Sequence, residues 1–156
     1  LNQLKKSKKL SSIRSSNYKY LLKMIMSLNS DFIKPQRITH LESFYSYTAA
    51  FRWDSALSGI HRDTFCDALI KEGAPVFTGY PKLMSEQTLH KKYSNTKNTK
   101  NAQRLNNDEF FGFLCLGNPN GKSEMKLIYQ CIEKVLLNID QLKEVKLKNK
   151  SISLGR

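Results

Sequence analysis

The residues from Leu116 to Ser123 are the first in this chain to suggest chemistry. Leu116–Gly117–Asn118–Pro119–Asn120–Gly121–Lys122–Ser123 carries an apolar run into a Gly-rich loop, then Gly-Lys-Ser, then an amphipathic segment. That order is the setting of a phosphate-binding loop, in which backbone N–H groups wrap an anion at a helix start. The spacing departs from it. Only Asn118, Pro119 and Asn120 separate the two glycines, fewer than the motif requires, so fewer N–H groups can converge. No later strand is expected to supply a magnesium-positioning aspartate. A turn followed by a helix cap, with Ser123 as the capping residue, accounts for the segment without a ligand.

Other reactive side chains are scattered. His40, His61 and His90 lie far apart, and none has a second ligand at helical spacing. No metal site is therefore expected. His61 is placed at a helix start and His90 on an exposed turn. Cys66, Cys115 and Cys131 each sit in an apolar stretch without C-x-x-C spacing. An odd number of such thiols reads as reduced, buried cysteine in a cytoplasmic protein rather than a disulfide framework. No Gly-x-Ser-x-Gly elbow is present to support a serine hydrolase.

The elements that would position these residues follow from periodicity. Residues 1–29 form a predicted helix, with Leu10, Ile13, Tyr20, Leu21, Met24, Ile25 and Leu28 near one face. Lys5, Lys8, Lys9, Lys19 and Lys23 then point to water. Lys34–Pro35 marks a turn. Residues 40–53, with Phe44, Tyr45, Tyr47, Phe51 and Trp53, are strand material. Residues 62–72 form a short helix, with Asp63 in its first turn and Gly73 just past its end. Residues 74–78 form a second strand, and Gly79–Tyr80–Pro81 a turn. Residues 85–93 have the makings of one or two helical turns. Residues 94–107 are polar and aperiodic, an expected exposed loop. Residues 110–116 form an apolar third strand. A last helix, 123–142, should lay Ile128, Cys131, Ile132 and Val135 on the sheet holding that strand. The order of helices and strands predicts a small α+β domain, helices covering a short, mainly antiparallel sheet.

The chain's 156 residues carry 26 Lys and Arg against 13 Asp and Glu, a net charge of +13. Such a balance admits nucleic acid as a partner. Yet the lysines are spread through the chain beside Asn95, Asn98 and Asn101, which reads as a compositional bias. Nucleic acid therefore stays the competing function class, supported by charge alone, and a gene remnant without function is a third. No apolar run is long enough to span a membrane.

An ordered set of short motifs resembles one enzyme family. Phe51–Arg52–Trp53–Asp54 is followed by Gly59–Ile60–His61–Arg62–Asp63–Thr64–Phe65. Then come Ala68–Leu69–Ile70–Lys71–Glu72–Gly73–Ala74–Pro75–Val76 and Gly79–Tyr80–Pro81. The set is similar to the C-terminal small domain of DegT-type sugar and inosose aminotransferases. Leu1–Asn2–Gln3–Leu4, with Arg14 and Asn17, resembles the helix leaving that family's large domain. Lys122–Ser123–Glu124–Met125 and Ile132–Glu133–Lys134–Val135 resemble its last helix.

The resemblance implies a division of the chain. Residues 1–29 would be the helix leaving a large cofactor domain, 30–142 the small domain, and 143–156 a basic tail. It implies pyridoxal phosphate as the family's cofactor, an amino group taken from glutamate or glutamine, and a keto-sugar or keto-cyclitol acceptor. A homodimer is implied as well. The family's cofactor-bearing lysine lies in the large domain, which would precede Leu1. No catalytic or cofactor-binding residue is therefore assigned here, and the chain alone is expected to hold no cofactor stably. Gly79, Tyr80 and Lys82 are the substrate-cleft candidates, Tyr80 reading equally well as a packed turn residue. Relatives continue this turn with Pro-Leu-Tyr, where this chain has Lys82–Leu83–Met84.

Overall fold

The computed structural model describes residues 2–40, 47–90 and 99–144. Its first element, helix α1 (Asn2–Ser27), leads to strand β1 (Ile33–Pro35). Strand β2 (Ala49–Trp53), the short helix α2 (Ser55–Ser58) and helix α3 (Arg62–Lys71) follow, then strand β3 (Val76–Phe77). After a tight turn at Met84–Glu86 comes α4 (Lys100–Arg104). It runs on as a π-helical turn, Leu105–Glu109, into β4 (Phe110–Phe113). Helices α5 (Lys122–Leu137) and α6 (Ile139–Leu142) close the described chain. The four strands form one antiparallel sheet in the order β1-β2-β4-β3. The fold is α+β, a small antiparallel sheet with helices over it.

Alternation along the strands decides which face is core. Ala49, Phe51 and Trp53 of β2, and Phe111 and Phe113 of β4, are buried. They meet Phe65 of α3 in one aromatic cluster. Trp53 stacks on Phe65 with ring centroids 3.9 Å apart, and its indole N–H donates to Ile60 O at 2.8 Å. Satisfying that donor lets the one tryptophan be almost wholly buried. Helix α5 buries Met125, Ile128, Ile132 and Val135, with Cys131 half-buried. Its main neighbours are α1 and α3, and its apolar face joins the same core cluster as the buried residues of β2 and β4.

Several sequence expectations are corrected. Lys34–Pro35 is not a turn but part of β1, an edge strand. Proline is tolerated there because an edge strand can dispense with a ladder donor. Helix α1 buries Ser15, Asn17, Tyr18, Leu21 and Ile25, whereas Leu10, Ile13, Tyr20, Met24 and Leu28 are only half-buried. Of the expected loop 94–107, residues 100–107 are helical, and the helical turn runs on to Glu109. Polar sequence hid them, because α4 is exposed on most sides and shows no apolar period. Among the described residues of the aromatic stretch 40–53, strand covers Ala49–Trp53; Phe44 and Tyr45 lie outside the described residues, as do 94–98 and 145–156.

The third strand is shorter than expected, Phe110–Phe113, and Leu114 beyond it is exposed. The last helix breaks at Asn138. It starts at Lys122, and its cap is Gly121, not Ser123. Glu124 does the capping: its Oε2 accepts the Gly121 N–H at 2.7 Å and the Ser123 hydroxyl at 2.9 Å. These bonds hold the Glu124 carboxyl below its ordinary range, the Gly121 amide foremost.

Candidate functional site

Alternation leaves Ala50 and Arg52 of β2, Phe77 of β3, and Phe110 and Gly112 of β4 on the sheet face away from the helices. A groove of about 760 Å³ lies there. Ala50, Phe77 and Phe110 contribute from the sheet, and Ala102, Leu105 and Asn106 from α4 and the π turn. Tyr47, Tyr80 and Leu114 complete the rim. Phe77 and Phe110 meet edge to face at 5.4 Å. The volume is that of a small-molecule cleft, and the lining is mostly apolar, with the amides of Gln36 and Asn106 and the hydroxyl-bearing side chains of Thr48, Tyr47 and Tyr80 among it.

Two glycines shape the groove. Gly79 adopts φ +95°, which side-chain-bearing residues rarely take, and a Cβ there would stand 2.9 Å from Asn106 Oδ1. A Cβ on Gly112 would stand 2.7 Å from the carbonyl oxygen of Ala49 and 3.0 Å from the Phe77 ring. Backbone at both positions must pass too close to its neighbours for a side chain.

Arg62 holds these walls together. Its side chain is buried, and Nε donates to Asp63 Oδ1 at 2.6 Å. Nη1 donates to the carbonyl oxygens of Phe110 at 2.7 Å and Asn106 at 3.1 Å, and reaches Thr78 O at 3.4 Å. Nη2 donates to Asn107 O at 2.7 Å. One planar guanidinium thus ties the residue before Gly79 to the π turn and to the start of β4. Farther out, Glu109 accepts from Arg52 Nε at 2.8 Å and lies 3.0 Å from Arg104 Nε, closing the turn on the surface.

Of the predicted cleft residues, the structure brings Gly79 and Tyr80 to the groove; Lys82 is exposed and does not line it. Leu83 caps a separate turn there, Met84–Glu86. Tyr80 is not a packed turn residue, since 78% of its surface is exposed. Phe77, Phe110, Asn106 and Arg62 do not stand out as site residues in the sequence, where the first two read as strand residues and Arg62 as part of a motif. The alternation of Phe110, Phe111 and Gly112 was the available signal that one phenyl ring leaves the core.

The groove does not fit pyridoxal phosphate. None of its described lining residues is a lysine that could bond the aldehyde covalently, or an acid to meet the ring nitrogen. In the loop 117–121 two backbone N–H groups are already taken by the protein: Asn120 donates to Gly117 O at 3.0 Å and Gly121 to Glu124 Oε2 at 2.7 Å. Asn17 Nδ2 donates to Leu116 O and Asn120 O, and Asn120 Nδ2 to Cys115 O, which bind the loop to α1 and to the end of β4.

His61 caps α3 by accepting the Asp63 N–H at Nδ1. His90 is exposed. Among the described residues no three His, Cys, Asp or Glu side chains converge as metal ligands. All three cysteines are free thiols, and burial raises the pKa of each, so thiolate chemistry is suppressed.

No family model and no curated protein matches the chain. Among solved structures, the aminotransferase from Psychrobacter cryohalolentis matches it with a TM-score of 0.66 at 22% identity. The match covers 88% of this chain and 37% of that one, so this chain spans little more than a third of that protein's length. At this identity the likeness is one of fold. No helix among the described residues is long and apolar enough to cross a membrane.

Proposed function

We propose that this chain is the small-domain part of a pyridoxal-phosphate-dependent aminotransferase of the DegT type. The groove headed by Gly79 and Tyr80 forms one wall of the cleft for a keto-sugar or keto-cyclitol. The amino group comes from glutamate or glutamine. Cofactor and covalent chemistry belong to a larger portion of the enzyme, and this chain alone is inactive. The observation that carries the reading is an apolar, glycine-shaped groove on a fold that matches part of an aminotransferase over most of this chain. The ordered motifs from Phe51 to Pro81 agree with it. We place the enzyme in the cytoplasm, in keeping with three free thiols, and as a homodimer.

Two experiments test this. The first mixes the chain with pyridoxal phosphate, reduces with borohydride and maps the labelled peptides. Weak labelling scattered over many lysines is expected; one stoichiometric adduct on a single lysine would overturn the division of labour. The second assays the protein made from the open frame that contains this chain, with glutamate and a panel of keto-sugars. Tyr80→Phe and Tyr80→Ala should change KM for the acceptor and leave KM for glutamate unaltered. Equal KM for the acceptor in both variants returns Tyr80 to a purely structural role.

A further inference from the structure

Helix α1 carries Lys5, Lys6, Lys8, Lys9, Arg14, Lys19 and Lys23 and not one acidic residue. At 3.6 residues per turn, Lys5, Lys8, Lys9, Ser12, Ser16, Lys19 and Lys23 fall within an arc of about 100°. The stripe is about 27 Å long, from the rise of 1.5 Å per residue. The opposite face, with Tyr18, Leu21 and Ile25, is buried, and α5 is its main neighbour. A solvated helix face ordinarily mixes charge signs, because Glu–Lys pairs at i,i+4 stabilise it and like charges so placed destabilise it. Here no ion pair among the described residues uses a lysine of α1, although carboxylates elsewhere pair with Lys34, Lys134 and Lys143.

We propose that this lysine stripe is a docking surface for the phosphate backbone of duplex nucleic acid. Charge complementarity names the occupant. A straight row of ammonium groups, with only the small Ser12 and Ser16 between its two clusters, meets a partner whose charges repeat along a rod. The helix does not lie in a membrane surface, because the apolar face that would enter the lipid is already spent on the protein core. The lysines give affinity without sequence preference, since phosphate contacts position and do not specify.

The test is fluorescence anisotropy of a short labelled DNA duplex titrated with the full chain over a range of salt concentrations. One variant replaces Lys5, Lys8, Lys9, Lys19 and Lys23 with Gln, which keeps helix propensity. A second, of equal charge, replaces Lys34, Lys71, Lys82, Lys100 and Lys126 with Gln. Circular dichroism checks that both fold. Five lost phosphate contacts should flatten the plot of log K against log salt by about 4.5 units in the first variant. The second variant should keep the parent slope. Equal flattening in both would overturn the proposal, because net charge alone would then explain binding. So would loss of binding to phosphatidylserine-containing vesicles in the first variant with DNA binding unchanged.

Discussion

Arg62 shows how one side chain can set the geometry of a groove it does not line. Its guanidinium is buried against Asp63 and spends its remaining donors on carbonyls from two separate segments. Arg62→Met leaves the Asp63 carboxylate and those carbonyls without their partner in a dry site. It should cost about 3–5 kcal/mol in urea denaturation, followed through Trp53 fluorescence. Arg62→Lys should recover little of that, because a compact ammonium cannot bridge Asp63 and both groove walls at once. Gly79→Ala tests the same wall from the other side. A residue with a Cβ at φ +95°, pressed on Asn106 Oδ1, should destabilise by about 1–3 kcal/mol. None of this was legible in the sequence beyond the glycine itself. Arg62 stood in a motif, but its acceptors lie up to 48 residues away, and only the folded chain brings them in.

At the scale of elements, legibility followed periodicity. Helices α3 and α5 and strands β2 and β4 have apolar spacing strong enough to place them. Strand β1 was lost because Pro35 at a sheet edge looks like a turn proline, and α4 because its polar residues face water on most sides. The start of α5 is where an element depends on one titratable group. Glu124 has a lowered pKa in the folded chain, so its stabilising effect is present above the ordinary carboxylate range. It is lost as pH falls through the folded-state value. Glu124→Gln should therefore lower the thermal midpoint at neutral pH, and the gap from the parent should close in acid. A gap that stays constant down to low pH would show that Glu124 acts without its charge.

For the whole molecule, two surfaces of opposite character face solvent, and ionic strength separates them. The groove side exposes Tyr47, Tyr80 and Leu114 at 66%, 78% and 45%. Contiguous apolar surface of this kind marks a contact face. In the proposed enzyme that face closes against the cofactor-bearing portion; in the isolated chain it has only other copies to meet. The net charge of +13 keeps copies apart at low salt, and added salt screens that repulsion over a shorter range. Self-association through the groove should thus rise with salt, whereas duplex binding through α1 should fall with it. Sedimentation velocity across a salt series checks this: the weight-average mass should climb with salt. The double variant Tyr80→Ser, Leu114→Ser should hold the chain monomeric throughout, and the five-lysine variant of α1 should associate at lower salt than the parent. A parent chain that sediments as a sharp monomer at every salt concentration, and unfolds cooperatively, would show that the groove face is complete without a partner and would count against the proposed place of this chain in a larger enzyme.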